Sequence, residues 1–314
     1  MPKLQPAVKT ITLPTATVAP GTTGIRYCDL SQIASIVNRR FYRQGLNWAV
    51  GGFKITTSGA SNSGSIIALK VQETWVTSAA WEKSMRHWMQ QQNDALREAG
   101  LESTKSRYND YKIFMDTNHV AAYLAAGSDL NICNDVPSGY AVGEWEPSQV
   151  VIPNDGGVAG NTVEYFVKMY GGSDANAKDI VEGYARSRSF PVNPIDETPG
   201  FTVADSWLSE MQDVGELQDE VVDNAVVTNN RLPYNQTVYP GQGVNADALT
   251  IHDKNSLTST TVGGATYLKG GMFPCGLIQF QVANSGAESL TYDIQIELVP
   301  GPHRGYMCQP MTEM

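Results

Sequence analysis

The residue types that most often carry chemistry are scattered in this sequence. His87, His119, His252 and His303 stand apart, with no two at metal-ligand spacing, and Cys28, Cys133, Cys275 and Cys308 form no C-x-x-C pair. Zinc, dithiol redox chemistry and a dense disulfide framework lack a sequence basis, and free thiols in a reducing compartment are the simpler expectation. Cys133 follows His119 in the chain, but a nucleophile and its base need proximity in space. The chain has no G-x-x-x-x-G-K-[ST], no H-E-x-x-H, no G-x-S-x-G and no G-x-G-x-x-G opening a helix. No catalytic residue is expected, since the common hydrolase and nucleotide-binding signatures are missing.

Charge is more informative than motif. Between Phe190 and Asn230 there is no Lys or Arg, while Asp196, Glu197, Asp205, Glu210, Asp213, Glu216, Asp219, Glu220 and Asp223 supply carboxylates. Such a cluster stays solvated or holds cations, and calcium, a hard ion taking several oxygens, is the metal it could bind, although no EF-hand spacing is present. Paired carboxylates also raise glycoside hydrolysis, which depends on a separation that sequence does not give. At the other extreme, residues 1 to 44 carry Lys3, Lys9, Arg26, Arg39, Arg40 and Arg43 against Asp29 alone, within a chain of net charge −10. These six are the candidate nucleic-acid-binding residues, since a locally basic end can lie on phosphates while the acidic remainder faces elsewhere. The competing explanation is that Arg39, Arg40 and Arg43 compensate a helix dipole. Asn235-Gln-Thr237 matches a glycosylation acceptor.

The elements that must position these residues read mostly as short strands. Residues 1 to 25, rich in Pro, Thr, Ala and Gly, form an extended arm with little capacity to bury itself, expected to cross onto something else. Asp29-Leu-Ser-Gln32 has capping-box residue types, and Leu30, Ile33, Ile36, Val37 and Phe41 follow at helical spacing, which predicts a helix over about 30–40. Strands are expected at Trp48 to Thr57, with a bulge at Gly51-Gly52, and at Ser65 to Glu73, joined through SGASNSG by a hairpin or a loose loop. Ser78 is the expected cap of a helix over 79–98 striped by Trp81, Met85 and Trp88.

Further strands are expected at Tyr111 to Asp116, Gly139 to Ile152, Val163 to Tyr170 and Glu220 to Thr228. The last two strands alternate most clearly: Ile278, Phe280 and Val282, then Tyr292, Ile294, Ile296 and Leu298, each with one dry and one wet face and NSGAES as a hairpin connection between them. Many short alternating strands with few helices predict an all-β, antiparallel jelly-roll sandwich with one prominent inter-strand helix and long loops. Residues 26–314 form that domain, with 171–274 an inserted or projecting elaboration.

The composition bounds the function. With 41% hydrophobic and only 17% charged residues, the surface must be polar through Ser, Thr, Asn, Gln and Gly, which fits neither disorder nor a coiled coil. The proline-broken N-terminus resembles neither a secretory signal nor an anchor, and no run of ~18 apolar residues occurs. Six Trp, fourteen Tyr and ten Met match the residue types of buried interface centres, and together with the low charge they favour a subunit covered by neighbours.

Two stretches carry a resemblance. DLSQIASIVNRRFYRQGLNWAVGGFKI, with ETWVTSAAWEKSMRHWMQQQNDAL and YKIFMD, resembles the N-terminal half of capsid proteins of circular Rep-encoding single-stranded DNA (CRESS-DNA) viruses, especially marine environmental ones. The ending ELVPGPHRGYMCQPMTEM resembles their C-termini. The resemblance implies a non-enzymatic virion protein, made in the host cytoplasm or nucleus, whose identical copies assemble into an icosahedral shell around a small circular ssDNA genome. It implies lumen-facing arginines that touch phosphates without reading sequence, and calcium could relieve the acidic 190–230 region at subunit junctions. This chain departs from the pattern in lacking a long Arg- and Lys-rich arm, so Lys3, Lys9 and the 26–43 cluster are the cations available. Two readings from other classes are a carbohydrate-binding β-sandwich with Trp and Tyr on a concave face, and a hydrolase using carboxylates from 190–230.

Overall fold

The computed structural model describes residues 6–58, 63–105, 109–126, 140, 145–152, 162–187, 249–258 and 264–314. Two antiparallel sheets, one of six strands and one of four, pack face to face. In chain order the elements are β1 (Thr10–Thr12), β2 (Ala16–Val18), β3 (Thr23–Asp29), α1 (Leu30–Asn38), β4 (Leu46–Ser58) and β5 (Ser63–Lys70). There follow α2 (Trp75–Glu98), α3 (Thr117–Ala126), β6 (Gln149–Ile152), β7 (Val163–Lys168), β8 (Ala177–Asp179) and α4 (Ile180–Ser187). The chain closes with β9 (Thr250–Thr258), β10 (Ala265–Phe273), β11 (Leu277–Asn284) and β12 (Leu290–Leu298).

The first sheet runs β1-β12-β4-β10, with β2 also on β12 and a terminal strand, Cys308–Pro310, on the start of β4. The second runs β3-β11-β5-β9. The two-residue alternation read from β12 is what builds the core: Leu290, Tyr292, Ile294, Ile296 and Leu298 all point inward. Phe53, opposite Ile296, packs edge-on against Phe273 and Phe280 at 5.5 and 5.3 Å.

Several expectations are corrected by this wiring. SGASNSG and NSGAES are not hairpin turns, because β4 and β5, like β11 and β12, belong to different sheets and their connections cross the sandwich. The Gly51-Gly52 bulge is present: Leu298 pairs with Val50 and Glu297 with Gly52, so Gly51 is the extra residue. β11 has no wet face over its first half. Gln279 is 2% exposed because a second layer covers it, and its amide donates to the Tyr27 hydroxyl at 2.6 Å and to Asp116 at 3.3 Å.

That second layer lies in the connection from β5 to β9. A three-strand sheet, β6-β7-β8 with a parallel β7–β8 pair, packs with α2, α3 and α4 around Trp88, Tyr111, Phe114, Val167 and Tyr170. β9 and β10 belong to the two sheets, so residues 250–258 and 265–273 of the stretch expected as an elaboration are sandwich strands. α2 starts earlier than Ser78: Thr74 caps it, accepting from the Thr77 amide at 3.4 Å, while the Ser78 hydroxyl donates to the Met311 carbonyl at 2.5 Å. Of the segment expected as a strand over 111–116, only Phe114 bridges, to Lys168. Of 139–152, the strand is 149–152, and the strand expected at 220–228 lies outside the described residues.

The arm is extended but does bury side chains. Through β1 and β2 it pairs with β12 of its own chain, and Ile11, Leu13 and Val18 enter the core. The physical reason is that β12 would otherwise be an edge strand with a row of unpaired amides.

Candidate functional site

The candidate site is built at the C-terminal end of α1. Asp29 caps that helix, accepting from the Ser31 and Gln32 amides at 2.8 and 3.3 Å, and Arg39 ends it in the left-handed conformation with φ 52°. The chain then turns across the N-terminal half of α2 toward β4. The terminal segment folds onto the same place: Tyr306 accepts from the Asn38 amide at 2.7 Å, and the Tyr42 hydroxyl donates to the Arg304 carbonyl at 3.0 Å.

Between these elements lies a cavity of about 1220 Å³. Its cations are Arg39, Arg40, Arg43, Lys105 and Arg304, and its apolar wall includes Met85, Trp88, Met89 and Tyr111 from α2 and the chain after it. The arginines are held by backbone carbonyls. Arg43 donates to Asn109 at 3.2 Å with its guanidinium 5.9 Å from the Phe41 ring, Arg40 reaches the Arg304 carbonyl at 3.5 Å, and Arg304 donates to the Phe41 carbonyl. Among the described residues no carboxylate stands within ion-pair distance of Arg39, Arg43, Lys105 or Arg304. The carbonyls that Arg40 and Arg43 reach, Arg304 and Asn109, lie outside α1.

Among the described residues, one carboxylate lines the cavity. Burial, with the charge of Asp29 second, pushes Asp110 up to about 7, against the pull of its hydrogen bonds from the Gln44 amide at 3.3 Å and of Lys112 and Arg43. Asp29 is fully buried and is also raised by desolvation, opposed by Ser31, Gln32 and Gln44. Gln44 ties the two acids together, donating from its side chain to Asp29 at 3.1 Å and accepting from the Ile113 amide at 2.6 Å. Burial and the neighbouring Arg304 lower His303, which favours its neutral ring. Among the described residues the cavity therefore presents cations over an apolar floor, with a single acid, Asp110, inclined to protonate.

Of the six residues singled out in the sequence, Arg39, Arg40 and Arg43 meet at this cavity. Lys9 is exposed, its carbonyl accepting from Leu298 at 2.8 Å at the start of β1. Arg26 is 6% exposed and serves the fold: its guanidinium donates to the Pro14 carbonyl at 2.7 Å and lies 5.5 Å over the Tyr292 ring. Buried there, it does not present its charge at the surface. Lys3 lies outside the described residues, as do Cys133, Asn235 and the 190–230 carboxylates. Sequence reasoning missed Lys105, Asp110 and Arg304. Only Arg304 left a trace, as the basic residue in a Gly-Pro-His-Arg-Gly turn, where it takes φ 51°.

The remaining candidates are structural. His119 stacks on Tyr27 at 4.1 Å and accepts from the Met115 amide at 3.2 Å, so it is a packed histidine rather than a free base. Cys28 and Cys275 are buried free thiols, and burial holds Cys275 well above the ordinary thiol range. Among the described residues no group of three or more His, Cys, Asp or Glu could hold a metal ion. The rings expected at interfaces are mostly inward: Trp48, Trp81, Trp88, Tyr42 and Tyr306 belong to the cores, which weakens the bulk argument for aromatic docking anchors. No protein-family model, no curated protein and no solved structure matches this chain.

Proposed function

We propose that this chain is the shell-forming subunit of a small viral capsid, a jelly roll whose identical copies enclose a single-stranded DNA genome. The observation that carries the reading is the strand wiring. Counting β1 with β2 as the first strand, the eight sandwich strands take the orders first, eighth, third, sixth in one sheet and second, seventh, fourth, fifth in the other. That order matches the one expected of a double Greek key, which supports the jelly-roll reading, the architecture of many capsid subunits. The resemblance over residues 26 to 120 and 275 to 314 supports the same conclusion, and all the residues lining the basic cavity fall within those two stretches. In this reading the cavity faces the lumen and Arg39, Arg40 and Arg43 contact phosphates, while Arg26 is removed from that role by its burial.

Symmetric closure lets many individually weak contacts hold together. Size-exclusion chromatography with negative-stain microscopy tests this: closed particles of megadalton mass are expected, and a persistent monomer across salt and calcium concentrations overturns it. In particles, replacing Arg39, Arg40 and Arg43 together by Gln lowers the absorbance ratio that reports packaged DNA, and an unchanged ratio removes these residues from genome contact. The carbohydrate-binding alternative needs a row of exposed rings. Trp75, Tyr140 and Tyr267 are the exposed large rings among the described residues, and they come from separate elements. The carboxylates of the hydrolase alternative, between 190 and 230, lie outside the described residues.

A further inference from the structure

Asp110 lines the cavity together with its cations and is bound into the same clasp as one of them. Two neighbouring pairs of residues grip each other: Arg43 donates to the Asn109 carbonyl at 3.2 Å, while the Gln44 amide donates to both Asp110 carboxyl oxygens at 3.3 Å. The Gln44 side chain carries the clasp inward, donating to Asp29 at 3.1 Å and to the Ile113 carbonyl at 3.0 Å. Asp110 is 9% exposed, and among the described residues no cation stands within ion-pair distance of it. A buried acid without an ion-pair partner is costly to ionise, and an anion arriving beside it raises that cost.

We infer that the basic cavity takes up a proton with its anion: neutral Asp110 belongs to the phosphate-bound state, and ionised Asp110 offsets the charge of Arg43 and repels the phosphate. The inference rests on the reading of the cavity as a phosphate contact and adds how that contact is regulated. The groups around Asp110 leave the titration to it. Asp29, at the start of α1, favours the neutral acid, while Lys112 and Arg43, on its own segment and on the one after α1, oppose it. Tyr111 beside it and Cys275 on the turn before β11 are held neutral by burial, and the α2 residues of the cavity wall carry no charge. Arg39, Arg40, Lys105 and Arg304 are the other cations that an anion meets there, and His303 is lowered toward its neutral form. Burial pushes the Asp110 carboxyl up to about 7, and a bound anion raises it further. By linkage, affinity for the anion is highest below that pH and falls as pH rises through it.

The test uses the purified full chain at low, constant ionic strength and a thymidine oligonucleotide of about 10 residues, whose phosphodiesters do not titrate between about pH 6.5 and pH 8.5. Binding is read by fluorescence anisotropy. Affinity of the parent is expected to fall roughly fivefold across that range, and that of D110N by less than about twofold. Groups that titrate elsewhere act on both proteins alike, so the difference between them belongs to Asp110. H303Q is expected to keep the fall. Should D110N fail to fold, D110S makes the same comparison, and calorimetry of the parent in buffers of differing ionisation enthalpy reads the proton directly, with about 0.4 proton taken up at pH 7. Equal slopes in the parent and D110N, or loss of the slope in H303Q, overturn the coupling and leave the phosphate contact standing where replacing Arg39, Arg40 and Arg43 together by Gln still weakens binding. Absence of binding at every pH, or binding indifferent to those three arginines, removes the phosphate reading of the cavity, and the inference falls with it.

Discussion

Asp110 links the cavity to the interior, and its protonation gives the molecule a testable pH dependence. Its carboxyl titrates near 7 in the folded chain, and near the ordinary value of 3.8 once unfolded. Between those values the folded chain retains a proton that the unfolded chain has released, so stability falls as pH rises through that window and levels off above about 7. Asp29 is shifted in the same direction and adds to the slope. The Asp110→Asn variant keeps an acceptor for the Gln44 amide and removes the buried charge. Urea midpoints are expected to vary less between pH 5 and pH 8 in the variant, which gains at most about 4 kcal/mol over the parent at pH 8. Equal pH slopes in the two proteins would place the titrating group elsewhere. Nothing in the sequence marked Asp110, because a raised carboxyl reflects burial beside Asp29, a residue distant in sequence. Arg39, Arg40 and Arg43 were legible as a cluster because they are neighbours in the chain, and a positive rim needs no more than that.

Among the elements, the bulge in β4 constrains its partner strand. A side chain at Gly270 would run into the Val50 and Gly51 carbonyls, atoms of a paired backbone with no room to yield. A side chain at Gly52 would meet the Leu268 carbonyl at 3.4 Å, an ordinary contact. Gly270→Ala is therefore expected to cost ~2 kcal/mol or more and Gly52→Ala under ~1 kcal/mol, measured by denaturant unfolding. A loss under ~1 kcal/mol for Gly270→Ala as well would show that the bulge tolerates a side chain. At the start of α2, Thr74→Ala is expected to cost about 1 kcal/mol through the lost cap. Ser78→Ala should leave helix content intact, since its hydroxyl serves the Met311 carbonyl rather than the helix. Circular dichroism separates the two outcomes. Both residues have the chemistry of a cap, so the local sequence could not choose between them. The choice fell to Val76, which the second core buries and so draws into the helix.

For the whole molecule, the N-terminal pairing predicts the effect of truncation. Removing residues 1–18 strips Ile11, Leu13 and Val18 from the core and leaves one side of β12 unpaired. At ~1.5–3 kcal/mol for each buried aliphatic side chain, the truncated chain is expected to be insoluble or to melt far below the parent, as thermal unfolding would report. A truncated chain that melts with the parent would mean that this arm contributes nothing to its own subunit. The alternation of β12, the cap of α1 and the bulge at Gly51 were all readable in the sequence, because each follows from sterics and solvation acting within a few residues. Which strands share a sheet was not readable. The connections after β4 and β11 have the composition of hairpin turns and yet cross the sandwich, and a local pattern fixes which face is dry without naming the partner that dries it. The same holds for the cavity: its arginines were visible one by one, but only tertiary packing carried Arg304 and Lys105 to Arg43 and laid the α2 rings beneath them, because folding balances the burial of the entire chain at once.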